Sequence, residues 1–317
     1  MTNERRAHST ARISRRRFLQ STAGIGLVAA LGPGGLRADS EALNRRAIPA
    51  SGRRIPVIGM GTYQTFDVAS DDGAAIERLT RVLEAFHAGG GRVVDSSPMY
   101  GRSERMVGLV AERLGIADEL FMATKVWTRG RDEGIEQMRR SRERMGGGRL
   151  ELLQVHNLVD LRTHLDTLRA WRDEGRVQYI GVTHYTDSSH DRLAELVERE
   201  PIDFVQFNYN IAARNAERRL LPAAADNGVA TLINEPFESG RLFSRVRGAE
   251  LPAWTGDLGI RTWAQFFLKF IAGHPAVTCA IPATGDPEHA ADNIGAARGP
   301  LPNDKQRARM AEVFGAL

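Results

Sequence analysis

The chain of 317 residues is 42% hydrophobic and 26% charged, a globular composition with enough apolar material for one large core or two ordinary ones. Its formal net charge of +4 arises at the amino terminus, where residues 1–38 hold seven arginines and one acid; the remainder stands at −2, which excludes a nucleic-acid-binding footprint. Cys279 is the only cysteine, so an intrachain disulfide, a multi-cysteine metal site and an iron–sulfur site are excluded as well.

From the amino end, Ser14-Arg15-Arg16-Arg17-Phe18-Leu19-Gln20 sets paired arginines ahead of a Gly- and Ala-rich apolar run from Ile25 to Leu36. That run is too short and too small in side chain for a good spanning helix. Residues 1–38 resemble a twin-arginine (Tat) export signal. The resemblance implies the Tat export machinery as a partner, passage in the folded state, and a periplasmic protein or one anchored to the membrane by an uncleaved segment. Leu36 stands where a small residue is expected ahead of a cut after Ala38, so cleavage after Ala30 and retention both stay open. A basic nucleic-acid-binding arm has no use for the apolar run.

Residues 39–56 read as a linker and a hairpin, with Ser51-Gly52 between two short extended pieces. From 57 to 317, short β-branched runs alternate with stretches of helical period. Strands are expected at 57–62, 91–95, 119–125, 150–156, 177–183, 203–208, 229–233 and 277–282, with helices such as Ala74–His87, Arg162–Glu174 and Arg192–Glu198 between them. Eight such rounds predict a single α/β domain, a (β/α)8 TIM barrel with an N-terminal β-hairpin closing its floor. Glu238 to Ile260 is the longest stretch without a regular pattern and is expected to form a flap over a ligand.

Three consecutive expected strands end in residues that can move or steer a proton. Val93-Val94-Asp95 is followed by Tyr100, Phe121 to Thr124 runs into Lys125, and Leu152 to Val155 runs into His156. Strand ends of such a barrel converge on one pocket. Lys125 is one of three lysines among 43 basic residues, yet it is expected at a buried position where charge is costly.

A carbonyl that accepts hydride develops oxyanion character and needs a proton donor within hydrogen-bond reach. Tyr100 suits that task. A free phenol titrates near about 10, a buried ammonium beside it favours the phenolate, and a carboxylate keeps the ammonium in place. Lys125 and Asp95 suit those two roles, and His156 can orient the carbonyl oxygen or relay the proton. Rival chemistries lack their residues. Gly24-x-Gly26-x-x-Ala29 follows no strand, no Tyr-x-x-x-Lys pair occurs, and no His-x-His pair supports a metal-dependent hydrolase, so no metal is expected.

Seven motifs in order carry a resemblance to the aldo-keto reductase family over residues 50 to about 298: Ile58-Gly59-Met60-Gly61-Thr62, Val94-Asp95-Ser96-Ser97-Pro98-Met99-Tyr100-Gly101, Thr124-Lys125-Val126-Trp127, Leu153-Gln154-Val155-His156, Ile180-Gly181-Val182-Thr183, Phe204-Val205-Gln206, and Ile281-Pro282 followed by Asn293. The resemblance implies a nicotinamide cofactor whose carboxamide is held by Thr183, His184 and Gln206, His184 standing where the family commonly has Asn. Gly61, Thr62, Thr284 and Asn293 belong to the implied cofactor contacts, and Ser239-Gly240-Arg241 to the pyrophosphate. Tyr63, Phe66, Trp127 and Asn157 are expected to line the substrate pocket, which the short tail after Arg298 leaves open.

The chain departs from the family pattern at two places. Asn234 stands where many members stack an aromatic ring on the nicotinamide. Ala283 and His289 stand where NADP-preferring members grip the 2′-phosphate with Lys or Arg, which predicts NADP(H) or NAD(H) with weakened NADPH preference or dual use, Arg241 or Arg298 being the candidate substitutes. The reading is an NAD(P)(H)-dependent oxidoreductase acting on a small-molecule carbonyl or alcohol, expected as a monomer with an oligomer left open. An exported ligand-binding or interaction protein on the same scaffold, without turnover, is the alternative.

Overall fold

The computed structural model describes residues 42–148 and 150–317, so the segment expected to direct export lies outside the described residues. The described chain opens with a hairpin, β1 (Arg45–Ala47) antiparallel to β2 (Arg54–Pro56). Eight parallel strands then pair in chain order: β3 (Met60–Gly61), β4 (Val93–Asp95), β5 (Phe121–Val126), β6 (Leu150–His156), β7 (Val177–Thr183), β8 (Phe204–Asn208), β9 (Ala230–Asn234) and β10 (Cys279–Ala280). Bridges from Ile58 to Ala280 and from Gly61 to Ala283 join the first strand to the last and close the expected (β/α)8 barrel.

The outer layer is α1 (Gly73–Ala88), α2 (Ser103–Leu114), α3 (Arg131–Arg144), α4 (Leu161–Asp173), α5 (His190–Arg199), α6 (Leu220–Asp226), α7 (Arg241–Arg245), α8 (Trp263–Ala272), α9 (Pro287–Gly295) and α10 (Asp304–Ala316). Local chemistry starts several of them. Asp72 accepts the Ala75 N–H ahead of α1, Asp286 with Pro287 opens α9, and Asn303 with Gln306 forms a capping box on α10.

Successive side chains of a strand point to opposite faces. One parity, including Val94, Met122, Val155, Val182 and Val205, packs against the helices in the main core. The other parity, including Phe121, Leu152, Tyr179, Phe204 and Leu232, fills the barrel interior together with Ile48 and Ile55 of the hairpin, so the hairpin plugs the floor. The Ser51 hydroxyl, 2.7 Å from that of Tyr179, ties the plug to the interior. Toward the strand ends the inward parity turns polar, with Asp95, Lys125, Gln154, His156, Thr183 and Gln206 all buried. Burial of that many polar groups is costly unless they are paired or used.

Two expectations are corrected. The first and last barrel strands, expected over 57–62 and 277–282, reduce to Met60–Gly61 and Cys279–Ala280. Pro282 has no N–H to donate, so beyond Ala280 the ladder continues only through single contacts such as Gly61 N–H to the Pro282 carbonyl at 3.0 Å. The expected flap at 238–260 is not an irregular loop. It contains 3-10 turns at Glu238–Gly240 and Ala253–Leu258 around α7, and Trp254 is covered by the Arg309 guanidinium 4.5 Å from its ring centre.

Candidate active site

At the C-terminal ends of the strands lies a cavity of about 640 Å³, with Asp95, Tyr100 and His156 among its lining residues. Lys125, at the end of β5, is fully buried beside it. Its Nζ donates to Asp95 Oδ2 and to the Ser96 carbonyl, both at 2.6 Å, and stands 5.1 Å from the centre of the Tyr100 ring. The register that pairs Asp95 with Ala123 leaves the Lys125 side chain, two residues further along the same face, able to reach back to the carboxylate.

Tyr100 is not on a strand. It ends a turn in which its N–H donates to the Ser97 carbonyl at 3.0 Å, and Ser103 at the start of α2 bonds back to the Tyr100 carbonyl at 3.1 Å. Gly101 follows with φ +60, a left-handed backbone on which any Cβ would strike the Asp67 carboxylate, so only glycine fits. The His156 ring stands edge-on to Tyr100, with centres 5.9 Å apart, and its Nδ1 lies 2.9 Å from the Ser97 hydroxyl.

The electrostatics differ from the expected tuning. Burial, then the Asp95 carboxylate, hold the Tyr100 phenol above its ordinary pKa. The Lys125 ammonium is neutralised by Asp95 at contact, which limits its pull on the phenolate, and burial pushes its own pKa down. The Tyr100 phenol therefore keeps its proton. Burial, with Lys125 and His184 nearby, pushes the His156 pKa down to about 2, so the imidazole is neutral.

Most of the other residues expected here are at the cavity wall. Gly61, Thr62, Thr183, Asn234, Ser239, Gly240 and Ala283 line it, as do Tyr63, Trp127 and Asn157. The Thr62 hydroxyl is already engaged, donating to Ser96 Oγ at 2.9 Å. Gln206 is buried behind Thr183, whose hydroxyl donates to its Oε1 at 2.9 Å.

Several expected contacts are elsewhere. Phe66 is fully buried in the main core, because a turn closed by its N–H to the Thr62 carbonyl carries it inward. His184 does not line the cavity; its Nδ1 accepts the Tyr185 N–H at 3.0 Å and caps its own loop. The Arg241 side chain is 80% exposed and faces Glu238, while Arg298 donates to the Gly89 carbonyl at 2.8 Å, and neither is among the residues that line the cavity. His289, Thr284 and Asn293 are also absent from the wall, Thr284 accepting the Asp286 N–H instead. Tyr185, Glu235 and Phe243 do line it and were missed, although Glu235 directly follows a strand end, which is the signal that finds such residues.

The wall can be tested for a nicotinamide. Gln206 Nε2, Asn157 Oδ1 and Asn234 Oδ1 are buried without a partner, an unusual state for polar atoms in a folded protein. A carboxamide offers both an acceptor and donors, which complement those atoms. For the phosphate end the match is weaker, since among the described residues no Arg or Lys lines the cavity and Glu235 does.

Comparisons with known proteins agree with this architecture. The model described as the Aldo/keto reductase family matches residues 57–313. The aldo-keto reductase YhdN of Bacillus subtilis is 27% identical over 194 residues, 56% of this chain and 56% of that protein. The aldo-keto reductase str7 of Strobilurus tenacellus is 30% identical over 196 residues, 58% of this chain and 56% of that protein. The chain thus spans little more than half the length of both relatives. An aldo/keto reductase from Klebsiella pneumoniae, solved with NADP and acetate, shares the fold at a TM-score of 0.71 and 21% identity, covering 86% of this chain and 96% of that one.

Proposed function

The chain belongs to the aldo/keto reductase family, and from that premise we propose that it is an NAD(P)(H)-dependent oxidoreductase interconverting a small carbonyl compound and its alcohol. The observation that carries this reading is the meeting of Asp95, Lys125, Tyr100 and His156 at one end of the barrel, against a cavity walled by Tyr63 and Trp127. A bound dinucleotide supplies the hydride. Tyr100 acts as the proton donor to the developing alkoxide, and in the reverse direction takes the proton back. The Lys125 ammonium, 5.1 Å from the Tyr100 ring centre, offsets part of the cost of the phenolate left when the proton departs, its pull limited by the Asp95 carboxylate at contact. His156 orients the carbonyl oxygen.

A ligand-binding protein on the same scaffold has no need of a buried ammonium and carboxylate beside a phenol. The unpaired Gln206 Nε2, Asn157 Oδ1 and Asn234 Oδ1 support a carboxamide-bearing ring. That no Arg or Lys among the described residues lines the cavity supports weak discrimination between NADPH and NADH. Together with the arginine-rich segment at 1–38, the reading extends to a folded protein exported by the Tat machinery, periplasmic or anchored, which retains its cofactor tightly because no soluble nicotinamide pool is expected outside the cytoplasmic membrane.

Tyr100→Phe is the test. The variant keeps nucleotide affinity, read by quenching of tryptophan fluorescence, and loses turnover by at least about a hundredfold. Persistent turnover puts the proton donor elsewhere. Protein isolated from outside the membrane, assayed for bound dinucleotide, tests the export and retention; protein that carries none and ignores added nucleotide ends that part of the reading.

A further inference from the structure

Ser97 is fully buried and makes two contacts that meet at the reacting end of the cavity. Its carbonyl accepts the Tyr100 N–H at 3.0 Å, closing the turn that fixes where the phenol begins. Its hydroxyl lies 2.9 Å from His156 Nδ1 and accepts the Met99 N–H at 3.3 Å. One residue therefore holds both the turn of the proton donor and the ring beside it, across a separation of 59 positions between Ser97 and His156.

The direction of the Ser97–His156 bond follows from counting donors. A neutral imidazole carries hydrogen on one nitrogen and accepts on the other. Were the hydrogen on Nδ1, the Ser97 oxygen would receive two donors, from Met99 and His156, and its own O–H would be left without an acceptor among the described residues. Buried hydroxyl groups are rarely left so. With Nδ1 as acceptor both the Ser97 O–H and the Met99 N–H are used, and the hydrogen resides on Nε2, the nitrogen left to the cavity that His156 lines.

We propose that Ser97 is a positioning residue, which by donating to Nδ1 holds His156 in the tautomer with hydrogen on Nε2, so that the imidazole donates to the substrate oxygen and leaves proton transfer to Tyr100. This rests on the function proposed above. Two donors, the Tyr100 hydroxyl and His156 N–H, then converge on one oxygen, and the imidazole is barred from competing as a base by the same bond.

The tautomer is read directly from two-bond proton–nitrogen correlations of the labelled protein without substrate or nucleotide, the His156 signals being identified by their loss in His156→Gln. The expected result is an acceptor-type Nδ1 and a hydrogen-bearing Nε2 in the native chain. In Ser97→Ala that preference is lost and kcat falls about tenfold to hundredfold with little change in KM, and Ser97→Thr, which keeps the hydroxyl, restores both. Hydrogen on Nδ1 in the native protein overturns the proposal, as does a Ser97→Ala variant with unchanged tautomer and kcat. If Ser97→Ala does not fold, the native spectrum decides. Failure of the functional reading is distinguishable, since it appears as absent turnover in the native protein whatever the tautomer.

Discussion

Lys125 Nζ lies 2.6 Å from Asp95 Oδ2, with both side chains almost wholly removed from solvent. A buried pair of this kind is costly to assemble and more costly to break, because the survivor is left as an uncompensated charge. Asp95→Asn or Lys125→Met is expected to destabilise the protein by about 3–5 kcal/mol, whereas the double variant loses much less than the sum. Urea unfolding of the three variants measures this; additive losses contradict a coupled pair.

The turn after the pair depends on a backbone that only glycine adopts freely. Gly101 has φ +60, and a Cβ there would stand 2.4 Å from the Asp67 carboxylate that receives the Arg102 N–H. Gly101→Ala is expected to cost roughly 1–2 kcal/mol from the left-handed conformation and to lower kcat by displacing the adjacent Tyr100. Thermal unfolding and steady-state kinetics check the two effects together, and an Ala variant of native stability argues against the constraint.

Histidine burial gives acid sensitivity with a defined sign. The His156 pKa falls from 6.5 to about 2 on folding, so between those values the unfolded chain binds a proton at this ring that the native protein does not. Stability therefore rises with pH through that window and levels off above it. The drop between pH 7 and pH 5 attributable to His156 is about 2 kcal/mol. His156→Gln, which takes up no proton there, should show a correspondingly smaller drop in denaturant titrations at the two pH values; an equal drop shows that the ring is protonated as readily in the native state.

Cofactor choice turns on charge at the cavity wall. Ala283 lines the wall, while Arg241 and Arg298 face Glu238 and the Gly89 carbonyl. The native protein is expected to bind NADPH and NADH within about a hundredfold of each other, equivalent to some 2.7 kcal/mol. Ala283→Arg should tighten NADPH by about tenfold or more through a charge-assisted bond, with NADH little affected. Dissociation constants for both nucleotides decide it.

Periodicity along the chain made the barrel legible. Short β-branched runs between stretches of helical period predict the strands, and Asp95, Lys125 and His156 follow because a strand end in this architecture is a place in space; the inward face of Phe121, Leu152, Tyr179 and Phe204 comes from the closed barrel. Tyr100 was legible only through its spacing from Asp95. The hairpin at Ser51-Gly52 was legible as a turn closing the floor, and the side chains that do so, Ile48 and Ile55, emerge only from their sharing a cluster with the strand interior.

Partnership lay beyond that reach. Whether Phe66 meets substrate or core, whether Arg241 meets phosphate or Glu238, and whether Ser97 holds the ring of His156 are each decided by where distant backbone passes. A local pattern specifies the face on which a side chain emerges. Its neighbour on that face, and so its charge, tautomer and use, is set by contacts between segments far apart in the chain, which form only when the barrel closes.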